Sequence, residues 1–334
     1  MSKFSLDTLR SCVFPFLGID NDPDVILGSS FGEDVAVTRI GEDILLSHVD
    51  PIVGAVEGIG RLALHVACND IACSGIKPRW AQILVLVPDR NDTDLVKRIM
   101  QDASEAAKEA GVSIIGGHTG YSSGITRPVV AVTAMAPAGG RRVIRTGGIS
   151  EGNHIIITGG AGIEGTSILA VDFAKKAREL GLTGEEIREG VELGEKISII
   201  REASLLADLG ATAMHDVTRG GIMETLLEMA LLSSLELEIH EDHIPVCPVV
   251  SRFARAFGFD PMGMISSGSL AAAMPPETVE DTLKKLHKMG IPAGDAGIAR
   301  KGNGITVHRS KGTTHLTEPR CEDDELARMW VLFG

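Results

Sequence analysis

Four aspartates carry the chemistry that can be read from this sequence: Asp34, Asp50, Asp70 and Asp216. The run Val-Ala-Val-Thr-Arg-Ile, Gly-Glu-Asp, Ile-Leu-Leu-Ser-His-Val reads as a β-hairpin. A turn centred on Glu42 sets Asp34 opposite Asp50 at the hairpin's open end. Side chains directly opposed on antiparallel strands have Cβ atoms about 4.5–5.5 Å apart. Two carboxylates at that spacing repel by roughly 3 kcal/mol at an effective dielectric near 20. Either the two acids splay into water, or a divalent cation between them reverses the sign of the interaction. An all-oxygen ligand set favours Mg2+.

Asp70 sits in the apolar stretch Leu64–Gly75, beside Asn69. On a helix its neighbours three and four residues away are Val66, Ala67, Cys73 and Ser74, none of them a cation. A carboxylate placed there needs a partner from outside the helix, or bonds to nearby backbone. Pro51 is expected to stop the second hairpin strand just after Asp50, so the helical segment Glu57–Gly75 can fold back over the sheet. Asp70 then arrives as a third metal-ligating acid beside Asp34 and Asp50. Asp216 closes a strand in His-Asp-Val-Thr-Arg-Gly-Gly, and Thr218, Arg219, Gly220 and Gly221 lead into a helix. A helix start offers unpaired N–H groups and a positive dipole to a phosphate; the plainer alternative is a side-chain cap by Asp216 or Thr218. Asp216 is also a candidate to hold a further metal or to take a proton from an acceptor.

Two glycine-rich stretches follow strands. Gly116, Gly117, His118 and Thr119 read as a strand running into a loop whose donors suit phosphate oxygens, with neutral His118 able to orient a substrate or a metal-bound water. Gly160, Gly162 and Gly165 form a G-x-G-x-x-G between a strand and a helix. The following ~30 residues lack the second strand and its terminal acid, which argues against a dinucleotide-binding fold. That leaves an anion cradle or a tight strand–helix turn. No P-loop, kinase lysine motif or nucleophile elbow is present.

The elements that must position these residues are mixed. Strands are expected at Trp80–Pro88, Pro128–Gly139, His154–Thr158, Leu235–Val246 and Ser267–Pro275, with a closing pair at Ala296–Gly302 and Gly304–Arg309. Helices are expected after Ser5, over Asp92–Gly111 with an Asp cap, and over Glu322–Gly334. Neither half alternates strictly β-α-β, so the fold class expected is α+β with mixed or antiparallel sheets. The polar, glycine-rich stretch Gly139–Asn153 divides the chain into 1–150 and 151–334. A formal charge of −13 excludes nucleic acid as a partner, so an anionic substrate would need metal ions or backbone N–H groups. The longest apolar runs are too short to span a membrane. The five scattered cysteines read as reduced, which fits a cytoplasmic setting, with Cys68 and Cys73 as core residues.

The segments Phe-Gly-Glu-Asp-Val-Ala-Val, His-Val-Asp-Pro-Ile-Val-Gly-Ala, Cys-Asn-Asp-Ile-Ala-Cys-Ser-Gly-Ile-Lys-Pro, Gly-Gly-His-Thr and His-Asp-Val-Thr-Arg-Gly-Gly resemble, in order, the signatures of the AIR synthase-related ATP-binding superfamily, nearest to its HypE-like hydrogenase maturation branch. The resemblance spans nearly the whole chain. It implies a two-domain fold, an N-terminal half-barrel sheet with helices and a C-terminal α/β sandwich, with ATP in a cleft and a homodimer formed through the N-terminal halves. It implies Mg2+ held by Asp34, Asp50 and Asp70, with Asn69 beside them, and gives Asp216 the place of the acid in the family's Asp-Pro-Thr-Arg-Gly-Gly motif. The activity implied is ATP-dependent phosphorylation or dehydration of an amide or carbonyl oxygen on a small-molecule or protein-borne acceptor, with ADP released. The alternatives are a small-molecule kinase resembling thiamine-monophosphate kinase and a non-catalytic ATP-binding maturation partner. Two departures stand out. His118 replaces the acid of the family's Gly-Gly-Asp-Thr, which implies one metal-coordinating acid fewer or a changed metal number. Cys321, in Pro319-Arg320-Cys321, precedes thirteen further residues, where HypE ends in a terminal carrier cysteine.

Overall fold

The computed structural model of the chain describes residues 4, 6–17, 22–28, 32–53, 57–319 and 324–334. Ser5, expected to cap the first helix, and Cys321, the candidate carrier thiol, lie outside them. The chain divides into two units at Val143/Ile144, within the glycine-rich stretch that suggested a cut near residue 150; of the earlier described residues, 6–17 and 32–33 group with the second unit.

The first unit is a six-stranded sheet built from β1 (Val25–Leu27), β2 (Ala36–Ile40), β3 (Asp43–Val53), β4 (Trp80–Val87), β5 (Ser113–Tyr121) and β6 (Val129–Pro137), in the order β1-β2-β3-β6-β4-β5. All its ladders are antiparallel except β4–β5. Strict alternation in β6 and β4 buries Val130, Val132, Ala134 and Ala136, and Ala81, Ile83, Val85 and Val87. The helix Ile59–Cys73 covers this face, lying on β3 and β6, and the helix Thr93–Ala110 packs beside it. Thr93–Ala110 begins as expected, with Asp92 accepting from the Leu95 N–H at 3.0 Å, and ends on Gly111 in the left-handed region.

Three expectations for this sheet are corrected. The hairpin turn is not centred on Glu42: Ile40 pairs with Asp43 and Ala36 with Ser47, so paired numbers sum to 83 rather than 84. The connection is the two residues Gly41 and Glu42, with Gly41 at φ +63°, the glycine-first pattern of a type II′ turn. Asp34 therefore does not oppose Asp50, and the ladder stops two residues short of it. Pro51 does not end β3, which runs on to Val53 against β6. The proline is accommodated because β2 ends opposite Ser47, leaving no strand on that side to need its N–H. Lastly, Gly116–Thr119 is not a loop but the middle of β5, the border strand, with a bulge opposite Ala81/Gln82. Gly117 is required there: at φ +148°, an added Cβ would lie 1.8 Å from the Ile83 carbonyl oxygen.

The second unit is a seven-stranded sheet of β7 (His154–Thr158), β8 (Ala213–Asp216), β9 (Glu236–His240), β10 (Leu270–Met274), β11 (Ala293–Arg300), β12 (Gly304–Arg309) and β13 (Gly312–Leu316), in the order β13-β12-β9-β11-β7-β10-β8. It is antiparallel apart from β9–β12. The expected closing pair, β11 and β12, are not neighbours: β9 lies between them, and β13, which the sequence reading passed over, completes the edge. One core joins Ile155, Ile157, Leu237, Ile239, Ile305 and Val307 of the sheet to Ile222, Leu226, Leu227 and Met229 of the helix Gly221–Ser233. A second gathers Leu169, Phe253 and Phe257, and the C-terminal helix Glu325–Phe333 packs Met329 into it. Asp324 caps that helix through the Leu326 N–H at 2.8 Å. Both units mix helices with largely antiparallel sheets, the α+β class the patterning implied.

Candidate functional site

In the first unit, β3 sets a row of side chains under the helix Ile59–Cys73. Leu46, His48 and Asp50 pair with Ala136, Ala134 and Val132 of β6 and so share the buried face. Asp70 projects from the helix above them and is 6% exposed. Its Oδ2 lies 3.4 Å from His48 Nε2, so an imidazole from outside the helix stands beside it. The other ring nitrogen of His48, Nδ1, meets the backbone carbonyl of Asp34. His48 thus joins the chain at Asp34 to the carboxylate of Asp70, with Asp50 two residues along the same strand face. Asn69 is fully buried beside Asp70. Cys68 and Cys73 are buried in the same helix, and burial, helped by the Asp70 charge, pushes the Cys68 thiol up to about 12. These are inert core thiols.

The β5 residues stand apart from this group. Asp50, Val132, Ile83 and Gly117 form one row of paired positions across β3, β6, β4 and β5. Three strand spacings separate the ends of that row by about 14 Å. Gly116, Gly117, His118 and Thr119 are exposed on the border strand.

In the second unit, Asp216 ends β8 and is fully buried; among the described residues neither of its carboxylate oxygens receives a hydrogen bond. His215 Nδ1 is 3.5 Å from Asp216 Oδ1, and His215 Nε2 is 2.9 Å from Oε2 of Glu228 on the helix Gly221–Ser233. Neither Asp216 nor Thr218 caps that helix. Gly220 is the N-cap, in the left-handed region, with no side-chain hydrogen bond to the first turn. The Gly221 N–H donates to the Thr218 carbonyl at 3.1 Å, no side chain caps the first turn, and Thr218 and Arg219 are half-exposed beside it. A buried carboxylate without donors is costly unless a cation or a proton meets it, so Asp216 fits a metal ligand by its surroundings as well as by its type.

The G-x-G-x-x-G turn is filled by the protein itself. Ser266 and Ser269, both fully buried, donate to the Gly160 carbonyl at 2.7 and 2.5 Å. The same hydroxyls accept from Ile163 N at 3.2 Å and Gly160 N at 3.1 Å. This is the tight strand–helix turn of the two readings left open by the sequence, with its donors already committed.

His48, His215 and Glu228 were not singled out from the sequence. His48 had a signal in the strand period, lying two residues from Asp50, and His215 adjoins Asp216. Glu228 had none, since only the fold brings it to β8.

The AIR synthase related protein N-terminal domain matches residues 32–138 and the corresponding C-terminal domain residues 150–310. A Methanocaldococcus jannaschii chain named for hydrogenase expression/formation is 29% identical over 86% of this chain and 85% of its own length. A carbamoyl dehydratase HypE from Cupriavidus necator is 30% identical over 79% of this chain and 74% of its own. Among solved structures, hydrogenase maturation protein HypE in complex with ATP superposes with a TM-score of 0.71 at 22% identity, covering 92% of each chain, which shows a shared fold. Together with the order of motifs along both units, these matches place the chain in the AIR synthase related family.

Proposed function

We propose that this chain is a Mg2+- and ATP-dependent enzyme that phosphorylates or dehydrates an amide or carbonyl oxygen, releasing ADP. Asp34, Asp50 and Asp70 would hold Mg2+ in the first unit, and Asp216 would serve as a further ligand or as the acid–base group in the second. When bound, the metal would supply positive charge against the phosphates, the main demand of phosphoryl transfer. His48 keeps the Asp70 carboxylate oriented from below, and His215 does the same for Asp216 from its place against Glu228. Thr218, Arg219, Gly220 and Gly221 would be the second unit's candidates for phosphate, and Asn69 with the β5 residues Gly116, Gly117 and Thr119 the first unit's candidates for the nucleotide. His118 would orient the acceptor.

The observation that carries this reading is Asp216: a fully buried carboxylate that, among the described residues, receives no hydrogen bond, in a chain similar over most of its length to carbamoyl dehydratases. Phosphorylating a carbamoyl oxygen turns it into a phosphate leaving group; loss of that phosphate with two N–H protons leaves a nitrile. The acceptor is accordingly a carbamoyl-type amide, free or carried on a protein. A homodimer through the first unit and residence in the cytoplasm belong to the same reading.

ADP release measured with a carbamoyl-bearing acceptor tests it. Turnover should require Mg2+ and fall by about 100-fold or more in Asp216→Asn and Asp70→Asn, with circular dichroism unchanged. Equal turnover in the variants, or in chelator, would refute the assignment.

A further inference from the structure

The outer face of the second sheet carries a cluster that the ATP chemistry does not use. In β9, Leu237 and Ile239 enter the core, while Glu236, Glu238 and His240 face away from it. β12 runs parallel to β9 and sets His308 beside His240 and Thr306 beside Glu238. Glu238, His240 and His308 each offer a ligand atom within 4.8 Å of the others. His308 Nε2 lies 3.2 Å from Glu238 Oε1, and the rings of His240 and His308 stack with centroids 4.9 Å apart and 24° between planes. All three side chains are half-exposed, so an ion can reach them.

The groups behind these three side chains orient them. Thr313 Oγ1 is 3.3 Å from His308 Nδ1, leaving Nε2 to face Glu238. Arg300 donates to Oε2 of Glu238, which leaves Oε1 for the histidines. Partners of this kind fix ring and carboxylate orientation at metal centres. An ordinary ion pair accounts for Glu238, Arg300 and His308 but gives no role to His240. Two imidazole rings beside one carboxylate are a metal-ligand set.

We propose that Glu238, His240 and His308 form a binding site for a divalent transition metal of the Zn2+ class. Two imidazole nitrogens and one carboxylate oxygen suit such an ion better than Mg2+, and three protein ligands leave a fourth position for water or an incoming ligand. Ligand atoms about 2.0–2.1 Å from a tetrahedral ion stand roughly 3.4 Å apart, so closure needs only small side-chain rotations. A bound ion would tie β9 to β12, strands far apart in sequence.

The test uses the full-length, tag-free chain stripped with chelator and titrated with Zn2+ by calorimetry, then with Co2+ by visible absorption. The wild type should bind one Zn2+ equivalent that His240→Ala and His308→Ala each bind at least ~10-fold more weakly, and Co2+ should give the intense visible band of a four-coordinate site. Zn2+ should also protect His240 and His308 of the wild type from diethyl pyrocarbonate, a readout that does not depend on the variants folding. Undiminished binding in either variant, no binding by the wild type, or no protection would overturn the proposal. Mg2+-dependent ATP turnover should be unchanged in both variants, which keeps this test separate from that of the catalytic reading.

Discussion

Asp70 Oδ2 lies 3.4 Å from His48 Nε2, joining the helix Ile59–Cys73 to β3 at the place where that strand also presents Asp50. The imidazole sets a polar group beside an acid in an apolar helix. Replacing His48 with Ala removes its bond to the Asp34 carbonyl and its contact with Asp70, and should lower stability by about 0.5–1.5 kcal/mol, the net worth of an ordinary hydrogen bond. Urea denaturation would measure this. If Asp70 is a cation ligand, millimolar Mg2+ should restore more stability to the variant than it adds to the wild type; an equal gain in both would count against it.

Neighbouring glycines in β5 should behave oppositely. Gly117→Ala places a methyl against the Ile83 carbonyl in a backbone conformation that L-residues avoid, and should cost at least about 2 kcal/mol. Gly116→Ala meets nothing within 4 Å and should change stability by less than about 0.5 kcal/mol. Thermal melts of the two variants would decide whether β5 is the strand described here or the loop its sequence suggested.

Glu202, in the helix Ile200–Asp208, gives the second unit a pH dependence. Burial pushes its carboxyl up to about 7 from 4.5, only partly offset by its own backbone hydrogen bond and Arg201. The folded state therefore binds a proton that the unfolded state has lost between pH 4.5 and 7. The contribution is full below about pH 4.5 and disappears as pH rises through 7. Glu202→Gln should thus be more stable than the wild type at pH 8, by on the order of 3 kcal/mol, and nearly equal to it at pH 4.5. His65 works the other way: burial, then Arg61, lowers it to about 4, so its contribution is present above pH 6.5 and lost as pH falls through 4. Comparing the variant with the wild type at each pH cancels that opposing effect, and parallel stability–pH curves would show that Glu202 is not the titrating group.

Ser269→Ala removes the hydroxyl that both donates to and accepts from Gly160. It leaves the buried Gly160 carbonyl with Ser266 as its remaining hydroxyl donor and the Gly160 N–H with the Thr158 carbonyl at 2.8 Å, and should cost about 0.5–1.5 kcal/mol. Because the turn's donors are already used within the protein, ATP affinity measured by calorimetry should not change. A large loss of affinity in a folded variant would mean that this turn holds the nucleotide after all.

The sequence made the acids legible because each breaks a local pattern: Asp70 interrupts an apolar helix face, and Asp216 ends a strand before a glycine pair. It made the helix Thr93–Ala110 legible through its ends, with Asp92 and Gly111 where capping chemistry wants them. The hairpin register was one residue off because Gly-Glu-Asp looked like a three-residue turn. The glycine-first signal of a two-residue turn was present in Gly41, and a single-residue slip exchanges the two faces of a strand. Gly116 and Gly117 looked like a loop because glycine weakens a strand pattern, while the reason for Gly117 is the Ile83 carbonyl on a neighbouring strand. Glu228 and the serines at 266 and 269 reach their partners only through long-range pairing, about which local sequence is silent.

The placement of β10 has a consequence for how this chain is made. β10 sits between β7 and β8, which have no ladder with each other. During synthesis β7 and β8 leave the ribosome first and wait for Leu270–Met274 before either meets that neighbour, whereas every strand of the first sheet has already emerged by Pro137. The nascent chain therefore completes its first sheet early and carries the apolar strand Ile155–Ile157 unsheltered by β10 for more than a hundred residues of translation.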